Sequence, residues 1–452
     1  MAANASFSPP PPPAAALGRT LRRLAAGSWL VLTLLLGACA GEDSPAPAPP
    51  PAATAPEAPV TAADTAENVP VPALGGADMP ATPPASPQAA PTPAADAAAG
   101  GPAFTILGTD IPAGTSTRLM WSPSKIFEGM ASETPVLVVH GRKPGPVLCI
   151  TAAVHGDELN GIEIVRRVFQ DLDPKSLAGT AIGVPIVNIH GFRRGTRYLP
   201  DRRDLNRFFP GNPQGSSAAR IAHSLFENIL SHCTALVDLH TGSFARTNLP
   251  QVRADLGIEP VADLAHGFGG MLVLNSEASP GTLRRAATDA GIPAVILEAG
   301  EPLRLQPKQV EQGVAGVRRL LAALGMTRKV TLLGQPEPVY YRSRWVRADH
   351  GGVLSSVVRL GQTVRPGDIL GNVTDPITNE QNLIHAPVAG RVIGMAVNQI
   401  VMPGFAAFHL GTEAQPGRTV ALARAPDKDE SARDRDVEAL DAAAAKGDPD
   451  TE

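Results

Sequence analysis

Residues 146–172 read PVLCITAAVHGDELNGIEIVRRVFQDL, and this stretch decides the fold class. PVLCITAAV is a continuous apolar run, which is typical of a strand buried on both faces of a sheet. GIEIVRRVFQDL then carries apolar residues at helical spacing, so a strand followed by an amphipathic helix is predicted. HGDE, residues 155–158, lies where the strand passes into the helix. One imidazole and two carboxylates are therefore expected at the carboxyl end of a strand.

The same alternation continues along the chain to about Gly325. Further strands are predicted at AIGVPIVN (181–188), TALVDLH (234–240) and IPAVILEAG (292–300). Further helices are predicted at 216–233, 281–291 and 308–325, the first behind a serine cap and the last ending on glycine. This order predicts an α/β domain over residues 103–327, with a mixed, mainly parallel sheet flanked by helices.

The sequence pattern changes near residue 328. Short β-rich runs, such as VYYRSRWVRA and GRVIGMAV, are separated by Gly, Pro and Asp turns, and no helical pattern occurs among them. A small all-β domain is therefore predicted over residues 328–424. VRPGDILGNVT and IHAPVAGRVIG resemble biotinyl or lipoyl hairpins, but no lysine occupies a hairpin tip, so a structural or gating role without a swinging cofactor is expected.

The two ends of the chain have the composition of targeting and tether segments. Residues 1–39 combine arginines, an apolar core and the run LGAC, which resembles a bacterial lipobox with Cys39 as the lipidated residue. Ordinary cleavage near Ala38 and an uncleaved anchor are the alternatives. Residues 40–102 are rich in Pro and Ala and 425–452 are charged and Ala-rich, so both are predicted to be disordered. The predicted location is the bacterial cell envelope, with a lipid anchor in the outer membrane facing the periplasm.

The net charge bears on nucleic-acid binding, and the cysteine content bears on disulfide bonding. The formal net charge is −4, and no basic run in the folded part favours nucleic acid. Beyond Cys39 only Cys149 and Cys233 remain, each in an apolar run, and both are interpreted as buried thiols, with a periplasmic bridge left open.

Two of the predicted strands end on histidine, and this points to a metal site. Ligands collect at the carboxyl ends of strands in α/β sheets. His155 and Glu158 come from one turn, and His240 ends the strand LVDL. Catalytic zinc sites commonly use two histidines and one glutamate and leave a position open for water. The three residues are therefore candidate ligands of one Zn²⁺, whereas an isolated His-x-x-Glu more often caps a helix.

Three further features surround this candidate site. Asp238 shares a strand face with His240 and either orients it or satisfies local backbone donors. GTRYLPDRRDLNRFFPG, residues 195–211, is interpreted either as a salt-bridged surface loop or as a wall that binds anions. Glu298 ends a very apolar strand, where it is either a partner for those arginines or a general base.

HGDELNG, DLNRFFPG, DLHTG and LEAGE, in this order and spacing, resemble the succinylglutamate desuccinylase/aspartoacylase family of the zinc carboxypeptidase clan. The resemblance covers roughly residues 104–411 and implies a zinc-carboxypeptidase-like fold.

The resemblance also assigns roles to residues of this chain. His155, Glu158 and His240 match the zinc ligands, and Glu298 matches the glutamate that activates water and protonates the leaving amine. Asn206 and Arg207 match the pair that holds the substrate carboxylate. Arg197 is chosen as the oxyanion residue, with Arg202 and Arg203 as rivals. The family's Tyr upstream of the catalytic glutamate is missing, since no Tyr lies between His240 and Glu298, so the family's substrate specificities are not transferred.

The sequence thus predicts a zinc-dependent amidohydrolase that acts on a small N-acyl amino acid or short peptide with a free carboxylate. A cell-wall peptide carboxypeptidase, an esterase and a non-catalytic binding scaffold are the alternatives. One Zn²⁺ per chain is expected, with no nucleic acid, membrane contact only through the lipid anchor, and a homo-oligomer left open.

Overall fold

The computed structural model describes residues 101–123, 132–328 and 338–412. The predicted signal peptide with Cys39, the linker up to residue 100 and the tail 425–452 lie outside these residues. Within the described ranges, no helix is both long and apolar enough to cross a membrane.

The strands of the α/β part are β1 (Phe104–Ile106), β2 (Thr109–Ile111), β3 (Thr115–Trp121), β4 (Thr134–His140), β5 (Lys143–Ala152), β6 (Ala178–Val184), β7 (Ala235–His240), β8 (Arg246–Ala254), β9 (Leu272–Asn275) and β10 (Ala294–Gly300). The helices are α1 (Leu159–Asp171), α2 (Ile189–Arg194), α3 (Ser217–Asn228), α4 (Glu259–His266), α5 (Leu283–Asp289) and α6 (Pro307–Ala323), with 3-10 turns at Leu205–Arg207 and Leu230–His232. The C-terminal strands are β11 (Val339–Tyr340), β12 (Arg342–Arg347), β13 (Gly352–Ser356), β14 (Thr363–Val364), β15 (Ile369–Thr374), β16 (Gln381–His385), β17 (Gly390–Ala396), β18 (Gln399–Val401) and β19 (Ala406–Thr412).

A large mixed sheet forms the centre of the molecule. Its order is β12-β19-β17-β8-β10-β7-β5-β6-β4-β3, and β6, β5, β7 and β10 run parallel to one another. Strands β3 and β4 add antiparallel on one side and β8 adds antiparallel to β10 on the other. The predicted fold class, a mixed α/β sheet with a β-rich C-terminal part, is therefore confirmed.

Helices cover both faces of the sheet, and this explains the continuous apolar strands. One hydrophobic core lies under α1, α4 and α6, and a second lies under α3 and α5. The Ser216 hydroxyl accepts a hydrogen bond from the Ala219 N–H and so caps α3, as the sequence predicts. Because both faces are buried, β5 and β7 have no polar stripe facing solvent.

Cys149 and Cys233 form a disulfide, so the interpretation of both as thiols is wrong. Cys149 lies in β5, and Cys233 lies two positions before the neighbouring parallel strand β7. Their Cα atoms are 5.8 Å apart although 84 positions separate them in sequence. The pairing depends on which strands are neighbours, which the spacing of two cysteines does not reveal.

The C-terminal strands divide between two sheets. Strands β17, β19 and β12 extend the central sheet, because β17 pairs antiparallel with β8 through Gly394 and Asn248. Strands β16, β15, β13 and β18 form a separate sheet around a small core. The central sheet therefore contains strands from both sides of the boundary predicted at residues 327 and 328.

Candidate active site

The parallel strands bring the predicted site residues to one edge of the sheet. His155 follows β5, His240 ends β7, and Glu298 lies near the end of β10. Glu298 is the register partner of His240 on the neighbouring strand. Glu158 lies at the start of α1, one turn after His155.

The three predicted metal ligands converge around the carboxylate of Glu158. His155 Nδ1 lies 2.8 Å from Glu158 Oε1, and His240 Nδ1 lies 2.9 Å from Glu158 Oε2. Candidate ligand atoms of the three residues all lie within 4.8 Å of one another, and all three residues are buried. Asp157 is not part of this group.

The far nitrogen of each histidine contacts an aspartate. His155 Nε2 lies 3.2 Å from Asp204 Oδ1, and His240 Nε2 lies 2.7 Å from Asp238 Oδ2. The other oxygen of Asp238 accepts a hydrogen bond of 2.7 Å from the Thr151 hydroxyl. Of the two roles that the sequence leaves open for Asp238, the structure therefore supports the one in which Asp238 orients His240.

These contacts allow a test of whether the residues fit a metal ion. With each Nε2–H donated to an aspartate, each Nδ1 turns its lone pair toward an oxygen of Glu158. A nitrogen lone pair and a carboxylate oxygen at 2.8 to 2.9 Å repel each other unless a proton or a metal ion lies between them. Two histidines and a glutamate, with the outer nitrogens held by carboxylates, are the donor set of a zinc site. The residues therefore fit Zn²⁺.

The electrostatics of the cluster agree with a site for positive charge. Burial and Arg197 oppose charge on His155, but Glu158 and Asp204 outweigh them and raise its pKa. Burial likewise opposes charge on His240, yet Asp238 and Glu158 raise its pKa well above the ordinary value. Although burial alone raises the pKa of Glu158, the two histidines hold it well below its usual range.

The loop of residues 195–211 supplies one side of the pocket. Arg197 is buried. It donates a hydrogen bond of 2.6 Å from Nη2 to Asp204 and one of 2.9 Å from Nη1 to the Ser243 hydroxyl. Its Nη1 also lies 3.7 Å from Glu158 Oε1. Arg202 and Arg203 are exposed and are not among the residues that line the pocket.

Asn206 and Arg207 lie on the same wall as Arg197. The side-chain oxygen of Asn206 accepts a hydrogen bond of 2.8 Å from the Leu283 N–H. This contact fixes which end of the amide is the oxygen. Asn206 and Arg207 both line the pocket that contains His155, His240 and Glu298.

Glu298 is 2% exposed and is contacted by two side chains of β8. Asn248 Nδ2 donates to Glu298 Oε2 at 3.0 Å, and Arg253 Nε lies 3.6 Å from Glu298 Oε1. Arg253 and Arg284 also line the pocket, on strand β8 and helix α5. The pocket is thus a buried recess with a metal-binding group, a carboxylate and several guanidinium groups.

Such a recess at the carboxyl edge of an α/β sheet is a candidate active site. Residues 144–324 match the catalytic domain of the succinylglutamate desuccinylase/aspartoacylase family. Over these residues the chain is similar to that catalytic domain, and the chain is a hydrolase.

One relative of stated activity and several solved structures are similar to this chain. The N-alpha-acetyl-L-2,4-diaminobutyric acid deacetylase of Halomonas elongata is 28% identical over 256 residues, which are 53% of this chain and 74% of the relative. The crystal structure of a succinylglutamate desuccinylase from a Silicibacter species has a TM-score of 0.59 at 22% identity and covers 67% of this chain and 97% of that chain. A product-bound ectoine utilization protein from Ruegeria pomeroyi has a TM-score of 0.57 at 24% identity, with coverages of 62% and 90%. These structural similarities establish the fold.

Sequence reasoning missed three residues that contact the predicted site residues. Asp204, which holds His155, stands out in the sequence only as part of a motif and of a charged loop. Asn248 and Arg253, which contact Glu298, lie on a strand that was not predicted. Asp204 stands among other charged residues, and Asn248 and Arg253 lie in a stretch of mixed polarity, so the sequence does not identify the partner of any of the three.

Proposed function

We propose that this chain is a zinc-dependent amidohydrolase that cleaves the amide bond of an N-acyl amino acid or short peptide bearing a free carboxylate. The observation that carries the proposal is the convergence of His155, Glu158 and His240, with an aspartate behind each histidine. His155, Glu158 and His240 would hold the ion. Zinc in such a donor set supplies Lewis acidity and a water of lowered pKa.

Glu298 is the group that moves the proton. It lines the same pocket as the two histidines and is fixed by Asn248 and Arg253. Its carboxylate accepts a proton from the attacking water and returns it to the leaving amine nitrogen. This role follows from the position of an acid group, 2% exposed, beside the candidate metal ligands.

Arg197 stabilises the oxyanion that forms as water attacks the amide carbonyl. Its guanidinium group is buried, lines the pocket and lies 3.7 Å from Glu158, close to the candidate metal position. Because Asp204 and Ser243 hold two of its nitrogens, the group is oriented before substrate binds. The exposure of Arg202 and Arg203 favours Arg197 over both rivals.

Asn206 and Arg207 bind the free carboxylate of the substrate. A guanidinium group can hold a carboxylate with two hydrogen bonds, and the amide of Asn206, oriented by Leu283, adds a donor. The named activity of the Halomonas elongata relative, deacetylation of an N-acetylated amino acid, supports this substrate class.

A panel of substrates tests the proposal. The purified full chain, loaded with zinc, is incubated with N-acetyl and N-succinyl amino acids, muropeptides and the matching esters, and the released amine or alcohol is measured. Release of amine from N-acyl amino acids that carry a free carboxylate is expected, with loss of the reaction when the carboxylate is amidated. Turnover of esters alone, or of muropeptides alone, would favour the corresponding alternative, and no amine release from any amide would refute the proposal.

We also propose that the protein works in the bacterial cell envelope, anchored through lipid on Cys39 to the outer membrane and facing the periplasm. The lipobox-like sequence supports the anchor, and the disulfide Cys149–Cys233 supports an oxidising compartment. Metabolic labelling with palmitate tests the anchor. Label is expected in the wild-type chain and absent from Cys39→Ser, and equal labelling of both would contradict it.

A further inference from the structure

We propose that Asn248 is a positioning residue for Glu298, and that strand β17 of the C-terminal region keeps Asn248 in place through the bare backbone of Gly394. The inference rests on the proposed function, because it assumes that Glu298 moves the proton. It gives the C-terminal β region a part in setting the geometry of the catalytic acid.

The carboxylate of Glu298 is held by the strand beside it. The register between β10 and β8 shifts between Glu298 and Gly300, so the chain is irregular where Glu298 is presented. Asn248 Nδ2 donates to Oε2 at 3.0 Å, while Arg253 lies beside Oε1 at 3.6 Å. A carboxylate contacted on both oxygens has its plane fixed, and the direction of its lone pairs decides where it takes a proton.

Asn248 lies between two glycines in the sheet. Its register partner on β10 is Gly300, and its register partner on β17 is Gly394. A Cβ atom added at Gly394 would lie 2.5 Å from Asn248 Oδ1, which is too close for a carbon and an oxygen. The Asn248 amide therefore occupies the space that a side chain at position 394 would need.

Gly394 is not required by backbone conformation. It is absent from the glycines with positive φ, so an L-residue can adopt its backbone angles. The requirement for glycine there is one of space, and the atom that needs the space belongs to Asn248. Because Oδ1 is the far end of a side chain, a methyl group at 394 would turn the amide rather than move the strand.

The rest of the Asn248 environment does little to hold the amide. Asn248 is 2% exposed, and its Oδ1 makes no hydrogen bond to any residue in the described ranges. Among the described contacts, the amide is held by its bond to Glu298 and by the flat surface at Gly394. A change at Gly394 should therefore be transmitted through Asn248 to the carboxylate of Glu298.

The substitution Gly394→Ala tests this link without altering any group that touches substrate. Its matched control is Gly351→Ala in the same C-terminal region, where an added Cβ would have Pro403 Cδ as its nearest atom at 3.3 Å. We expect kcat of Gly394→Ala to fall roughly 10- to 100-fold, since a misplacement of about 1 Å can have this effect. KM and zinc content should match the wild type, and Gly351→Ala should keep the wild-type kcat.

A double-mutant cycle separates positioning from a general structural effect. Asn248→Ala alone should lower kcat with KM unchanged, and Gly394→Ala should then have no further effect on kcat in the Asn248→Ala background. An equal loss of kcat in both backgrounds, or a wild-type kcat for Gly394→Ala, would overturn the inference.

A crystal structure of Gly394→Ala distinguishes failure of this inference from failure of the proposed function. The contact between Asn248 Nδ2 and Glu298 Oε2 should be lost, and this readout needs no substrate. If the contact persists, the inference is wrong whatever the enzyme hydrolyses. If the contact is lost while kcat stays at the wild-type value, Asn248 does not position a catalytic group.

Discussion

Glu298 is almost fully buried in an apolar strand, yet it lies in a pocket that is also lined by four arginines, Arg197, Arg207, Arg253 and Arg284. A carboxylate in such a place is costly unless it is paired, and its pairing with Arg253 and Asn248 lowers that cost. The arrangement places a carboxyl group beside the candidate metal ligands, where it can take part in proton transfer.

The substitution Glu298→Gln tests the proton-moving role. Glutamine has nearly the same shape but cannot accept and return a proton, so kcat should fall by about 100-fold or more while zinc content is unchanged. Steady-state kinetics on the best amide substrate, with metal analysis of the same sample, make the measurement. A kcat within a few-fold of wild type would refute the role.

Arg197 and Arg203 form a matched pair for the oxyanion assignment. Arg197 is buried in the pocket, whereas Arg203 is exposed and pairs with Asp201 at 2.6 Å. Arg197→Lys should lower kcat by roughly 100-fold, because a lysine cannot hold Asp204 and Ser243 in the same fork and still face the carbonyl. Arg203→Lys should change little, and the opposite ranking would assign the oxyanion role to the exposed part of the loop.

Strands buried on both faces were predictable because their sequences are continuous apolar runs. Strand β8, RTNLPQVRA, was not predicted, since it contains a proline and turns Asn248, Gln251 and Arg253 inward. Asn248 and Arg253, which contact Glu298, stand at positions where an apolar residue would have indicated a buried strand. Strand β9 has only four residues and α4 only eight, which is short for a reliable pattern.

The candidate site was partly predictable for the same reason. His155 and His240 follow apolar runs that the sequence identifies as strands, so their common edge follows from strand direction. Asp204 reaches His155 from a loop 49 positions away, and no local pattern predicts that contact. Strand order and register, which also decide the disulfide, depend on tertiary packing.

Asn160 joins helix α1 to β10 and to the start of α6 through hydrogen bonds, so its replacement is expected to destabilise the fold. The Asn160 side chain is fully buried and bonds to the Ala299 carbonyl at 2.9 Å, the Gln306 side chain at 3.0 Å and the Gln306 N–H at 2.8 Å. Asn160→Ala leaves buried partners unsatisfied and should lower the free energy of unfolding by about 1–3 kcal/mol.

Urea unfolding measures this effect, with Asn228→Ala as the control. Asn228 is exposed on α3 and bonds to Ser224 in the same helix, so its replacement should lower the stability little. Equal destabilisation by the two substitutions would mean that Asn160 does not join α1 to β10 and α6.

The disulfide links β5 to the segment before β7, two parts of the chain that are far apart in sequence. It closes a span of 84 positions, so replacing both cysteines by alanine should lower the free energy of unfolding by about 2–4 kcal/mol. Denaturant unfolding with and without a thiol reductant makes the measurement. The wild type should become less stable on reduction and the double variant should not, and a wild type insensitive to complete reduction would contradict the expectation.

The proposed activity depends on one metal ion held jointly from two strand ends and a helix start. Anomalous diffraction at the zinc edge, on crystals of the zinc-loaded protein, locates that ion. We expect one strong peak per chain at about 2.0–2.2 Å from Nδ1 of His155, Nδ1 of His240 and an oxygen of Glu158. Zinc bound by other residues, or no peak among these three, would contradict the account.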